Sequence, residues 1–165
     1  MSWIVLAAIA FLSVPLAAGA DSRPVEVLSI SNGQQLLIEY NGEARALRLA
    51  CLQAPRQRQQ PWADQARVAL QSLVSPGQAA MFELRARDVH GRLVGRLLVD
   101  GEDIGAALIS RGSVFFWDGF VGRCDDLDYS SRAADAELNQ RGIWSIQGGL
   151  DRPWDLMESS QDGAP

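Results

Sequence analysis

Hydrophobic and polar positions first divide the chain into short extended stretches. Val25 to Ile30 and Gln35 to Tyr40 read as strands on either side of the turn residues Ser31-Asn32-Gly33, and Asn41-Gly42 marks a second hairpin. The third strand, Glu43 to Leu52, alternates with period two. Leu47, Leu49 and Cys51 fall on one face and Ala46, Arg48, Ala50 and Leu52 on the other, which sets Arg48 among small apolar neighbours. After a loop from Gln53 to Pro61 the period changes. Ala63, Ala66, Ala69, Leu70 and Leu73 recur at helical spacing within Trp62 to Leu73, and Ser75-Pro76-Gly77 ends that helix. Ala79 to Arg87 and Leu93 to Val99 are two further strands joined through His90-Gly91. Asp100-Gly101 then turns the chain into a short helix ending at Arg111, and a last helix spans about Asp126 to Gln140. Five strands with a helix after the third predict an α+β domain built on a partly open barrel of the OB type with about three helices, a small α+β sandwich being the alternative.

The first twenty residues do not belong to that pattern. An apolar run from Trp3 to Val14, Pro15, and Ala18-Gly19-Ala20 before Asp21 read as a signal peptide cleaved at Ala20/Asp21, although no lysine or arginine precedes the run. That missing charge leaves an uncleaved anchor as the other reading, although the stretch is barely long enough to span a bilayer. The domain is thus expected over residues 21–157, followed by a polar tail from 158 to 165. Export to the periplasm or beyond would hold Cys51 and Cys124, the two cysteines of the chain, where disulfides persist, and we expect them to pair rather than remain two buried thiols.

Composition sharpens the picture in one respect. Every basic residue is an arginine and the formal net charge is -5, which by itself disfavours a polyanionic partner. Yet nine arginines and three acids lie between Arg45 and Arg96, and the balance reverses from Asp100 onward. Neither cysteine sits in a metal-binding spacing, and a single histidine, His90, cannot build a zinc site. His90 reads as an exposed turn residue rather than a base, because no acid in the sequence nearby is placed to orient it. Asp125, Asp126 and Asp128 suit the start of the last helix, where the helix dipole favours acids.

Five pieces in order resemble the thermonuclease, or staphylococcal nuclease-like, family. They are Arg48-Leu49, Ala54-Pro55, His90-Gly91-Arg92, Leu108-Ile109 with Gly112, and Gly142-Ile143-Trp144 after an alanine-rich helix. The resemblance covers about Val25 to Ser145 and implies an OB-fold. It further implies calcium held by aspartates in two loops, of patterns D-G-D-T and D-x-P-E, with the glutamate of the second as base and two arginines on the phosphate. Oxygen ligands neutralise calcium, and guanidinium forks match phosphate oxygens.

Carried onto this chain, both arginines are present, as Arg48 and Arg92, and the carboxylates are not. The first loop reads Asn32-Gly33-Gln34-Gln35, with Gln34 in place of the metal aspartate; the second reads Gln53-Ala54-Pro55-Arg56, with Gln53 replacing the other aspartate and Arg56 the base. A positive charge about 5 Å from a divalent ion, at an effective dielectric of about 20, repels it by roughly 7 kcal/mol. Calcium binding in the millimolar to micromolar range amounts to only about 4 to 8 kcal/mol. The sequence therefore predicts no metal cofactor and no intact catalytic set. It predicts instead an anion pocket of Arg48, Arg56 and Arg92, with Arg58 at its rim, suited to nucleic acid or another polyanion. Phe115, Phe116, Trp117 and Phe120 cluster where the resemblance implies a wall of that pocket, either as stacking surfaces or as core. Trp62, Trp144 and Trp154 read as packing anchors. A weakly active nuclease and a protein-interaction module are the alternatives; EDTA sensitivity would mark the first, and indifference of anion affinity to arginine replacement the second.

Overall fold

The computed structural model describes residues 22–119 and 124–156; the leader, Phe120 and the tail fall outside them. Strands β1 (Ser22–Ile30), β2 (Gln35–Tyr40) and β3 (Glu43–Leu49) form the expected meander. A two-residue strand β4 (Leu52–Gln53), helix α1 (Trp62–Leu73), strands β5 (Ala79–Arg87) and β6 (Leu93–Val99), and a short β7 (Glu102–Asp103) follow. Helix α2 (Ile104–Ser110), strand β8 (Phe115–Phe116) and helix α3 (Tyr129–Leu138) complete the order before a 3-10 turn at Gly142–Trp144.

The main sheet runs β3-β2-β1-β5-β6-β7, and β3 also pairs with β6 in parallel, which closes five strands into a barrel. Closure requires β6 to pass close to both neighbours. Gly95 lies opposite Leu49 on β3 and Leu84 on β5, and a Cβ at this position would collide with the Glu83 carbonyl. The interior is filled by Val27, Leu36, Ile38, Leu47, Leu49, Phe82, Leu93 and Leu97, all essentially inaccessible. Alternation places these side chains inward, as the sequence pattern anticipates. Leu70 and Ala66 of α1 and Leu108 and Ile109 of α2 extend the same core beyond the barrel.

Two boundaries differ from the sequence reading. β3 stops at Leu49 rather than Leu52, because Cys51 takes a positive φ of 61° and redirects the chain. Ala50, Cys51, Leu52 and Ala54 are then all buried, so period-two alternation fails where the chain is covered on both sides. Leu52 and Gln53 pair instead with Phe116 and Phe115. The last helix begins at Tyr129, not near Asp126, and Asp128, its N-cap, makes no side-chain cap bond. Asp126 and Asp128 are engaged by Arg85 and Arg132, each at 2.7–2.8 Å.

The Cys51–Cys124 disulfide is formed and joins the rim of the barrel to the approach to α3 across 73 residues. A loop of that length implies about 4 kcal/mol of stabilisation on the chain-entropy estimate. The Cys51→Ala/Cys124→Ala double variant should accordingly lose about 2 to 4 kcal/mol in urea unfolding relative to the oxidised protein. Gly95→Ala should cost about 1 to 3 kcal/mol in the same assay through overpacking at the closure. Unchanged midpoints would contradict the respective assignments.

Candidate phosphate cleft and the amide-substituted loops

Arg48 projects from β3 and Arg92 stands at the head of β6, and the parallel β3–β6 register puts Arg48 opposite Val94. Both line a cleft of about 270 Å³ together with Arg87, Asp88, Val89, His90 and Val94. Three arginines face one carboxylate there. Asp88 organises the turn: its Oδ1 accepts from the His90 and Arg92 amides at 2.9 and 3.0 Å, and its Oδ2 accepts from Arg92 Nε. Arg92 is therefore already paired with an acid, Asp88, two positions before the His90-Gly91-Arg92 motif. His90 is exposed, in keeping with the reading of a surface turn residue.

Arg48 has a different environment. Its Nη2 donates to Gln53 Oε1 at 2.6 Å, and its guanidinium lies 5.4 Å from the centre of the Trp117 ring. Burial lowers its pKa from the ordinary arginine value, the charge on Arg92 lowers it further, and Asp88 opposes both. No ion pair to Arg48 or Arg87 is formed among the described residues, so the excess positive charge of the cleft rests on these two, Arg48 half-buried and Arg87 exposed. Trp117 in turn stacks on Trp154 at 5.8 Å, and Phe115 packs edge-on against Trp144 and Trp154. Trp144 and Trp154 are thus packing anchors, while Trp117 joins the packing to the arginine. Phe120 lies outside the described residues.

Arg56 and Arg58 are not in this cleft. Arg56 Nε donates to the Pro153 carbonyl at 2.9 Å, Arg58 Nη2 reaches the Leu156 carbonyl at 3.4 Å, and the buried Gln59 donates to the Asp151 carbonyl at 2.7 Å. Loop 56–59 is thereby bound to segment 151–156, a contact across more than ninety positions that no local pattern discloses. Arg56 lines a second, larger opening of about 610 Å³, with Asn32, Gln34, Gln53, Ala54, Asp64 and Arg67 among its walls.

That opening contains the positions at which the family resemblance implies a metal. Gln34 is buried, and its Oε1 accepts the Ala54 amide at 2.5 Å, tying the first hairpin loop to the loop after β3. Gln53 Oε1 is taken by Arg48. Both oxygens that a cation would need already accept a hydrogen bond, Arg56 adds positive charge, and Asp64, the one acid in the lining, pairs with Arg67 at 3.6 Å. This donor set does not fit calcium. Among the described residues no group of three or more histidine, cysteine, aspartate or glutamate side chains is placed to hold a metal ion.

The concentration of arginines along the sequence is largely offset in space. Arg96 bridges Asp103 and Glu83 at 2.8 Å each, and Arg85 reaches Glu83 and Asp126. Asp103 also accepts from the Tyr129 hydroxyl at 2.7 Å and caps α2 through the Ala106 amide. Burial first, and then Asp103, raise the Tyr129 pKa above its ordinary value. The acids that follow Asp100 in the sequence fold back onto the arginines that precede it.

The family model for the staphylococcal nuclease homologue matches residues 46–146. The chain belongs to the staphylococcal nuclease family. No curated protein matches it. The matched stretch includes Arg48, Gln53, Arg56 and Arg92, whereas Gln34 precedes it. In this family member the barrel and the arginine pair occur together with amides at the loop positions.

The Asp88 turn yields a pH test. Burial raises the Asp88 pKa, but hydrogen bonds from the Arg92 side chain, the Arg92 and His90 amides, and the charge of Arg92 outweigh it and hold the carboxyl below its ordinary value. A depressed folded-state pKa contributes stability above the unfolded value of about 4 and loses it as pH falls through the folded value. Wild type should exceed Asp88→Asn in stability at neutral pH, and the gap in urea midpoints should close on acidification below about pH 4. A gap independent of pH would refute the pairing.

Proposed function

We propose that this protein is an exported, non-catalytic member of the staphylococcal nuclease family that binds a phosphate-bearing polyanion, nucleic acid in the first instance, at the Arg48–Arg92 cleft. The observation that carries this reading is the pairing of Arg48, which has no acid partner among the described residues, with a second arginine across one cleft. Anions relieve the mutual repulsion of such a pair, and the guanidinium fork suits phosphate. Trp117, stacked on Trp154, lies against Arg48 and braces the guanidinium at the cleft.

Loss of hydrolysis follows from the amides. With Gln34 and Gln53 occupied by Ala54 and Arg48, neither a divalent ion nor a carboxylate base is provided, and loss of a general base alone costs about 10² to 10⁴ in rate. Arg56, which the sequence reading grouped with the two cleft arginines, is instead turned to Pro153. Export with removal of residues 1–20 is supported by the apolar leader and by a disulfide that persists in an oxidising compartment.

Binding to single-stranded DNA or RNA should weaken as salt rises and be indifferent to EDTA. Arg48→Ala should lower affinity by about tenfold, the scale of one charge-assisted contact. Fluorescence anisotropy on labelled oligonucleotides, with gel analysis of the same samples in calcium, measures binding and cleavage together. Calcium-dependent cleavage abolished by Arg92→Ala would overturn the proposal, as would the absence of binding.

A further inference from the structure

The 610 Å³ opening between the first hairpin loop and α1 shares no lining residue with the Arg48–Arg92 cleft. We infer that this opening is a second phosphate site: the amide substitutions have reversed its polarity, so that a seat built for a cation now receives an oxyanion.

The hydrogen bonds fix which end of each amide is spare. Gln34 Oε1 is held by the Ala54 amide and Gln53 Oε1 by Arg48, which turns the carbonyl of each side chain to a donor within the protein and leaves its N–H₂ as a donor. Asn32 contributes no free acceptor, because its Oδ1 receives the Gln34 amide at 3.0 Å and its Nδ2 donates to Gln35. Arg56 spends Nε on the Pro153 carbonyl and is engaged by no acid among the described residues, leaving its terminal nitrogens. Arg67 and Asp64 offset one another. Gln57 at the exposed rim can present either end of its amide. The walls therefore offer two oriented amide donors and one uncompensated guanidinium, the complement of a phosphate's acceptor oxygens.

The Gln34 carbonyl bond to Ala54 joins the two loops that wall the opening.

The test uses full-length protein, exported with its own leader and purified in the disulfide-bonded form. Side-chain amide resonances of Gln34 and Gln53 are followed by ¹⁵N NMR during titration with inorganic phosphate at constant ionic strength, with calcium chloride in a parallel series. A short oligonucleotide with and without a terminal phosphate distinguishes free phosphate from a polynucleotide end as the source. Saturable shifts at both glutamines with phosphate, unchanged in Arg92→Ala, are expected, and calcium should leave them in place. Arg56→Ala should weaken phosphate at least tenfold. If that variant does not fold, Arg56→Gln should weaken it in the same way. Shifts produced by calcium, shifts confined to Asp88–Arg92 and lost in Arg92→Ala, or no shift at the glutamines at all would each overturn the inference. Because Arg92→Ala disables only the first cleft, failure at one site is read separately from failure at the other.

Discussion

The parallel pairing of β3 with β6 is the contact on which the remaining features depend. It converts a meander and a hairpin into a closed barrel, and its register sets Leu47 opposite Leu93, Arg48 opposite Val94 and Leu49 opposite Gly95. Arg48 and the turn bearing Arg92 become neighbours only through this pairing, although more than forty residues separate them along the chain. A slip of one residue would turn Arg48 into the core and Leu47 out of it. Gly95 protects the register, since any side chain there would strike the Glu83 carbonyl.

Much of the barrel was legible because period-two alternation and turn residues are local properties. Residues Gln35 to Tyr40, Trp62 to Leu73, Ala79 to Arg87 and Leu93 to Val99 occupy the elements that their patterns predict. Legibility ended at Ala50, where burial on both sides erases alternation and the left-handed Cys51 bends the chain. The arginine pair and the two glutamines were identifiable by resemblance. What each glutamine does was not, since a hydrogen bond from Ala54 to Gln34 spans twenty positions. The docking of Arg56 onto Pro153 was equally invisible, being a side-chain-to-carbonyl contact with no signature in residue type.

Charge illustrates the same division between sequence and space. A surplus of arginine between positions 45 and 96 suggests a broad basic face, yet Glu83, Asp88, Asp103 and Asp126 pair with Arg85, Arg92 and Arg96. Buried or half-buried pairs of this kind fix geometry more than they add stability. Their removal from the account leaves Arg48 and Arg87 at the cleft and Arg56 at the larger opening without an acid partner among the described residues. On the reading proposed above, two small positive sites on a chain of net charge -5 would select for local phosphate geometry over bulk attraction to polyanions.

The disulfide has a mechanical consequence. Cys51 and Cys124 enclose β4, α1, β5, β6, β7, α2 and β8, while β1 to β3 lie before the bridge and α3 after it. Tension applied to the two ends of the chain would travel through the sulfur bridge and bypass the enclosed stretch. Under load the outer strands and α3 would peel away first, and the 73-residue separation would add no contour length until a reductant cut the link.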